Sequence, residues 1–471
     1  MIKELFFDYQ KKSSKYEQEF RKILTELVTF PTVADRETKA INDCADSLEG
    51  FLKQYGYSVT QYPTREDGYP VVFAEKNVGA PKTMLFYHHY DVQPEDPLDK
   101  WVSSPWKLTE RDGRIYGRGV ADDKGEFVIS MLAMDLLEKE LGTLPVNIKF
   151  VLEGEEEAGS EHLPVFAKKH SELLKADGSV WEGNLLFPSK DNPTTYDTPV
   201  GLICGLKGTI YYEVTTKGPP YFPRTDVHSG EAAATPNAAW SLIWGLSTLK
   251  DENENILIDG FNELVQDPLE EDLAELKKAN DSFERRIVDD YQLGHALLNR
   301  TGTDLLIETL LKPSLSICGL DSGYQGPGSK TIVPAKAMAK VDFRLVPNLT
   351  MEKVDELVQQ HLKKHNIDYL DFKSLGGYDP AKTPVNHPYV QMVKAVSAEI
   401  TGKPVEIIPI AAGSGPAYLF TPYVPICMAG NDAVGLNGHA PNENMPADCI
   451  SPSIAYNAVI AYALGKTAET K

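Results

Sequence analysis

Near the start of the chain, Phe20, Ile23, Leu24, Leu27 and Val28 fall on one side of the segment Tyr16–Thr29 before Pro31 ends the run. The spacing predicts an amphipathic first helix. The period then shifts. Residues 83–87, Thr-Met-Leu-Phe-Tyr, form a short, largely apolar run, and Val146, Ile148, Phe150 and Leu152 recur at every second position. Both read as strands. Between them Val128, Met131, Leu132 and Leu136 return to helical spacing until Gly142 and Pro145 stop it. Strand, helix and strand in that order favour a parallel sheet with helices packed on it.

From about Gly208 the pattern changes character. Thr209–Val214 reads as a strand, and Thr235-Pro236 opens a helix with Trp240, Ile243, Leu246 and Leu249 on one side. Strands follow at Pro313–Cys318 and Ala337–Val346, then a helix over Met351–His365 and a strand at Tyr369–Phe372. The order βαββαβ describes a small α+β sandwich. Residues 251–312 interrupt it with an acidic stretch, read as helical decoration because a structureless loop that long is unusual. The first pattern resumes near Pro384 and ends in a helix from Ser451-Pro452 through Tyr462. The expected fold class is α/β. A mixed, largely parallel sheet domain flanked by helices is assembled from 1–207 and 384–471, with an inserted α+β domain at 208–383.

Composition narrows the partners. A length of 471 residues exceeds one ordinary domain, and 42% hydrophobic residues suffice for real cores. A net charge of −21 argues against nucleic acid or an anionic membrane, because phosphate binding needs clustered Lys and Arg. The opening residues scatter their charges without an apolar core of signal-peptide length, and no stretch approaches the ~18 apolar residues of a membrane span. The cytoplasm is the default compartment. Cys44, Cys204, Cys318, Cys427 and Cys449 are odd in number and unpaired in spacing, so they read as buried reduced thiols.

The candidate chemistry lies in five separated segments: His89-Tyr90-Asp91, Gly119–Gly125 with Asp122-Asp123, Glu155-Glu156-Glu157 before Ala158-Gly159-Ser160, Glu182, and Gly438–Glu443 with His439. Two histidines and a surplus of carboxylates suit zinc, and two adjacent ions need about six ligand positions with one carboxylate shared. The spacing is too irregular for one local loop, so a fold must gather the segments. The strands predicted before His89 and before Glu155 put both at strand ends, where open α/β sheets carry their sites. Each segment alone has a plainer reading: a surface His-x-Asp, a charged turn, an acidic patch, a solvated histidine. The five together reverse that balance.

These motifs, in this order over nearly the whole chain, resemble the di-zinc metallopeptidases that include carnosinases, cytosolic nonspecific dipeptidases, aminoacylases and succinyl-diaminopimelate desuccinylases. The dipeptidase and carnosinase branch is the most similar. The resemblance implies two zinc ions per chain, with manganese or cobalt as substitutes. One is held by His89, Asp122 and Glu182, the other by Glu157, Asp122 and His439. It implies a cis peptide bond after the bridging Asp122, and Asp91 as a carboxylate orienting His89. It also implies Glu156 as the general base that activates a metal-bridging hydroxide. The region 208–383 becomes a lid and dimerisation domain. There, His228 of Asp226-Val227-His228-Ser229-Gly230 reaches a neighbouring subunit's site in a homodimer and stabilises the oxyanion. Arg344 of Phe343–Pro347 binds the substrate carboxylate, beside Lys330-Thr331 and the small-residue loop Gly413-Ser414-Gly415-Pro416. Three departures stand out: Glu182 where that branch has Asp, His88 where glycine is common, and no histidine within Ser374–Gly377. The expected activity is hydrolysis of the amide bond of dipeptides or other small peptides. Its rivals are an N-acyl amino acid deacylase or desuccinylase on the same metals, and an inert metal-binding dimeric scaffold.

Overall fold

The computed structural model describes residues 1–66, 69–278, 286–431 and 435–467. The chain separates into two compact units, one of Met1–Gly205, Lys382–Pro409 and Leu419–Lys471, the other of Leu206–Ala381 and Ile410–Tyr418.

The first unit begins with helices α1 (Ile2–Ser13), α2 (Glu17–Val28) and α3 (Thr38–Gln54). Its main sheet uses β1 (Ser58–Tyr62), β2 (Val71–Lys76), β3 (Thr83–His89), β4 (Asn147–Glu153) and β5 (Gly178–Trp181), in the order β1-β2-β4-β3-β5. Only β3 pairs in parallel, with β4 on one side and β5 on the other, while β1 and β2 join antiparallel. The connections explain this. α4 (Lys124–Leu141) crosses over from β3 to β4, as a parallel pair requires, whereas the short link from β1 to β2 allows only reversal. β3 is buried from Met84 to His89, which accounts for its near-continuous apolar run. α4 and the last helix, Ile450–Lys466, pack together and are buried almost all round. Val200–Ile203 pairs in parallel with Glu406–Ile408 and antiparallel with Met428–Asn431, stitching the three segments of this unit together.

Helix α2 falls where the apolar spacing predicts. Helix α1 does not follow from that reading. Its buried Phe6 and Tyr9 sit among charges that mask the short stripe Ile2, Leu5, Phe6 and Tyr9.

The second unit contains β6 (Gly208–Thr216), α5 (Ala238–Leu246), β7 (Ser314–Ser322), β8 (Ala337–Leu345), α6 (Met351–Lys364) and β9 (Leu370–Tyr378). The sheet order is β7-β8-β6-β9 and every pairing is antiparallel. β6 alternates buried and half-buried positions, and Ile210, Tyr212 and Val214 join Val341, Phe343, Val354 and Val358 in a separate core. Within 251–312 the described residues include the short helices Phe261–Leu264, Glu270–Leu276 and Gly302–Leu306; 279–285 lie outside them.

Candidate metal centre

Parallel pairing brings the ends of β3, β4 and β5 to one edge of the sheet. His89 is the last residue of β3, Glu155–Glu157 follow β4 by one turn, and Glu182 follows β5 directly. Asp122 enters from the loop before α4, and the bond from Asp122 to Asp123 is cis. His439 comes from a loop late in the chain. Glu182 and His439 have φ of 43° and 61°, a left-handed geometry uncommon for such residues and met often at functional sites.

The two histidines converge on one carboxylate. His89 Nε2 lies 3.0 Å from Asp122 Oδ1, and His439 Nε2 lies 2.9 Å from Asp122 Oδ2. The same His439 nitrogen is 3.3 Å from Glu157 Oε2. Donor atoms of His89, Asp122 and Glu157 lie within 4.8 Å of one another, as do those of His89, Asp123 and Glu182. Glu182 thus meets His89 beside Asp123, the neighbour of Asp122.

Other groups hold these side chains in place. The buried Asp91 carboxylate accepts the backbone N–H of Glu156 at 3.1 Å and of Glu157 at 3.0 Å, fixing the turn that carries both. His89 Nδ1 lies 3.1 Å from the Asp91 carbonyl oxygen and 3.4 Å from its Oδ1, so backbone and side chain of Asp91 share the orienting contact. Gln93 Nε2 donates to Glu157 Oε2 at 2.9 Å. The fully buried Glu443 clamps the Asp122 loop. Its Oε1 accepts from the N–H of Gly119, Ala121 and Asp122 at 3.1, 3.0 and 3.1 Å, and its Oε2 takes Arg118 Nη1 at 2.7 Å. Glu443 lies within the Gly438–Glu443 motif, which by itself assigns it no part. The signal was there: a carboxylate four residues after His439 in an otherwise neutral loop.

The electrostatics fit a cationic occupant. Burial pushes Glu156 up to about 7, helped by Asp91, Glu157 and Asp122 against the pull of His89. Burial and Glu156 raise Glu182 well above the carboxylate range, and its buried Oε1 has no hydrogen-bond partner. Hydrogen bonds to Asp122 and Glu157 lift His439 to about 10. Although burial opposes charge on Asp122, His439 and His89 hold it low. Protons on the histidines thus balance clustered carboxylates, and two divalent cations would do so more completely. The orphaned Oε1, the converging imidazoles and the carboxylate-rich donor set suit divalent cations such as zinc or manganese.

The second unit carries the remaining predicted residues. His228 is exposed on the short strand Val227–His228, which pairs with Ile332–Val333, and its Nδ1 accepts the N–H of Gly230 at 3.0 Å. The neighbouring Thr331 is exposed, and its carbonyl takes the N–H of Ser229 at 3.1 Å. Arg344 donates through Nε to Asp342 Oδ2 and through Nη1 to Ser414 Oγ, both at 2.9 Å. Residues far apart in sequence thereby meet, with Gly415 buried next to Ser414.

Residues 85–463 match the model of peptidase family M20/M25/M40, and the chain belongs to that family. Among curated relatives, the chain is 32% identical to the Cys-Gly metallodipeptidase dug1 of Schizosaccharomyces pombe over 74% of each chain. It is 31% identical to the Beta-Ala-His dipeptidase of Rattus norvegicus over 67% of this chain and 63% of that protein. Among solved structures, the M20 family metallo-carboxypeptidase Sso-CP2 from Sulfolobus solfataricus superposes with a TM-score of 0.83 at 31% identity, covering 95% of this chain and 99% of that one. Human carnosine dipeptidase 1 gives 0.76 at 26% identity, covering 98% and 99%. The mixed α/β architecture is therefore that of M20 peptidases. Among the described residues no helix is long and apolar enough to cross a membrane.

Proposed function

We propose that this protein hydrolyses the peptide bond of dipeptides or other small peptides at a two-metal centre held by His89, Asp122, Glu157, Glu182 and His439. The observation that carries the reading is the pair of Nε2 atoms on opposite oxygens of Asp122, with Glu156 close by and raised to about 7. Zinc bound there would polarise the substrate carbonyl and acidify water. Glu156, with a pKa near working pH, takes the proton of the attacking water and returns it to the leaving amine. Asp91 keeps Glu156 and Glu157 in their separate places through the backbone of their turn. Arg344, braced by Asp342 and Ser414, pairs with the substrate's terminal carboxylate, and Thr331 and the backbone of Ser414-Gly415 are the further substrate contacts of this reading.

The second unit acts in this reading as a lid and dimerisation domain, and His228 of one copy stabilises the oxyanion in the other. Support comes from exposed apolar surface. Trp240, Ile243 and Trp244 on one face of α5 are 54%, 49% and 59% exposed, and Ile317 and Leu320 on the edge strand β7 are 49% and 60% exposed. The cytoplasm is the compartment proposed, on five free thiols, four of them buried.

The test is hydrolysis of a panel pairing free dipeptides with N-acyl amino acids and longer N-blocked peptides, using chelated protein restored with zinc or manganese. Turnover of unblocked dipeptides alone supports the proposal. A second reading, release of the carboxyl-terminal residue from acylated or longer substrates, is favoured by Glu182 and by similarity to the archaeal carboxypeptidase. Preference for blocked substrates would establish it. A folded, metal-loaded protein inert on every substrate would leave only a scaffold.

A further inference from the structure

A buried polar chain runs behind the proposed ligands. His88 has no exposed surface. Its Nδ1 lies 3.1 and 2.9 Å from the two carboxylate oxygens of Asp123, and its Nε2 lies 3.0 Å from Ser130 Oγ on α4. Asp123 Oδ2 also accepts the backbone N–H of His89 at 3.0 Å. Glu126, one helical turn along, has a carboxylate oxygen within 4.8 Å of both His88 and Asp123, and it accepts the backbone N–H of Gly183. His88 precedes His89, Asp123 follows Asp122, and Gly183 follows Glu182. Three proposed ligands thus each have a chain neighbour in one network.

We propose that His88 is a positioning residue, the hub that holds Asp123 and, through it, sets the aim of His89, Asp122 and Glu182. The inference rests on the two-metal reading above. The Asp123 carboxyl meets the His88 ring and the His89 amide and also hydrogen-bonds the Glu126 side chain, and with Nδ1 engaged there His88 turns its Nε2 to the Ser130 hydroxyl. Removing the ring strands a buried carboxylate, which then turns toward whatever donors remain and takes the adjoining Asp122 with it. His88, Asp123 and Glu126 could in principle hold an ion themselves, but both ring nitrogens of His88 already have partners. The trio is a strut.

The test compares the wild type with H88A, H88N and S130A. Zinc affinity is read by competition with a chromophoric chelator, metal content by elemental analysis, and ligand geometry by the visible spectrum of the cobalt-substituted protein. The wild type is expected to take two zinc ions. H88A should weaken at least one site by about 10- to 100-fold and shift the cobalt bands, as loss of an outer partner does. H88N, which keeps an N–H for Asp123, should recover most of that loss, and S130A should fall between. Unchanged zinc affinity and cobalt spectrum in H88A overturn the proposal, whatever the melting temperature does. Should H88A fail to fold, an unchanged zinc affinity and cobalt spectrum in S130A overturns it. A third zinc in the wild type that disappears in H88A would make the trio a ligand set instead. A wild type that binds no zinc would remove the two-metal reading and His88's role together.

Discussion

Glu156 and Glu157 are neighbours held in different surroundings. Asp91 fixes the backbone of both, Gln93 and His439 engage the Glu157 carboxylate, and burial lifts Glu156 to about 7. Replacing Glu156 with Gln should therefore lower kcat by about 10²- to 10⁴-fold with zinc content unchanged, whereas E157Q should lose metal, both by elemental analysis beside activity. Glu443 is a different kind of residue, a buried charge joined to Arg118 and three backbone amides. E443A should cost about 3–5 kcal/mol in urea unfolding, because it leaves Arg118 buried without its counter-charge. In the second unit Lys207 is buried, donates to the carbonyls of Thr309 and Lys312, and is pushed down from 10.5 to about 8 by burial and by Arg344. Between those values the unfolded chain binds a proton that the folded chain does not. Lys207's contribution to stability should thus rise with pH across that window and be least favourable below it. Urea unfolding of wild type and K207M from pH 7 to 10 checks the sign. At this scale residues that motif company singles out in the sequence, His89, Asp122 and His439 among them, lie together in the structure. The sequence could not disclose the task of Glu443, whose partners are mainly backbone amides more than three hundred positions away.

Elements decide where those residues meet. The apolar runs around Met84–Tyr87, Val128–Leu136 and Val146–Leu152 are visible because each element is deeply buried, β3 without a break and α4 almost all round, and the structure follows them. The mix of strand directions was less visible, since direction depends on connections that apolar spacing does not encode. Gly125 at the start of α4 shows how tightly one connection is drawn. A Cβ there would lie 2.1 Å from the carbonyl oxygen of Val120, in the loop that presents Asp122. G125A must displace either the helix start or that loop, so it should lower both the melting temperature and zinc affinity. A variant with lowered stability but wild-type zinc affinity would show that the helix start yields and the loop does not.

At the scale of the molecule, the proposed dimer makes separable demands. W240E/W244E should sediment as a monomer, keep its zinc and lose most turnover, because His228 then has no second site to serve. Mixing H228A with E156Q subunits should restore part of the activity, since a mixed dimer assembles one intact set; no restoration would mean that His228 acts within its own chain or not at all. The acidic stretch 251–312 shows where sequence reading stops. Short helices with few apolar positions, such as Phe261–Leu264 and Glu270–Leu276, take their order from the surfaces beneath them rather than from their own period.

The first unit is written in three pieces, and His439 follows Asp122 by 317 positions. On a translating ribosome adding roughly 5–20 residues per second, the proposed bridging carboxylate waits roughly 15–60 seconds for its second imidazole. A growing chain therefore offers a passing zinc ion a partial set of ligands well before it offers the full one, and firm capture of the metal pair becomes an event of late synthesis or of release.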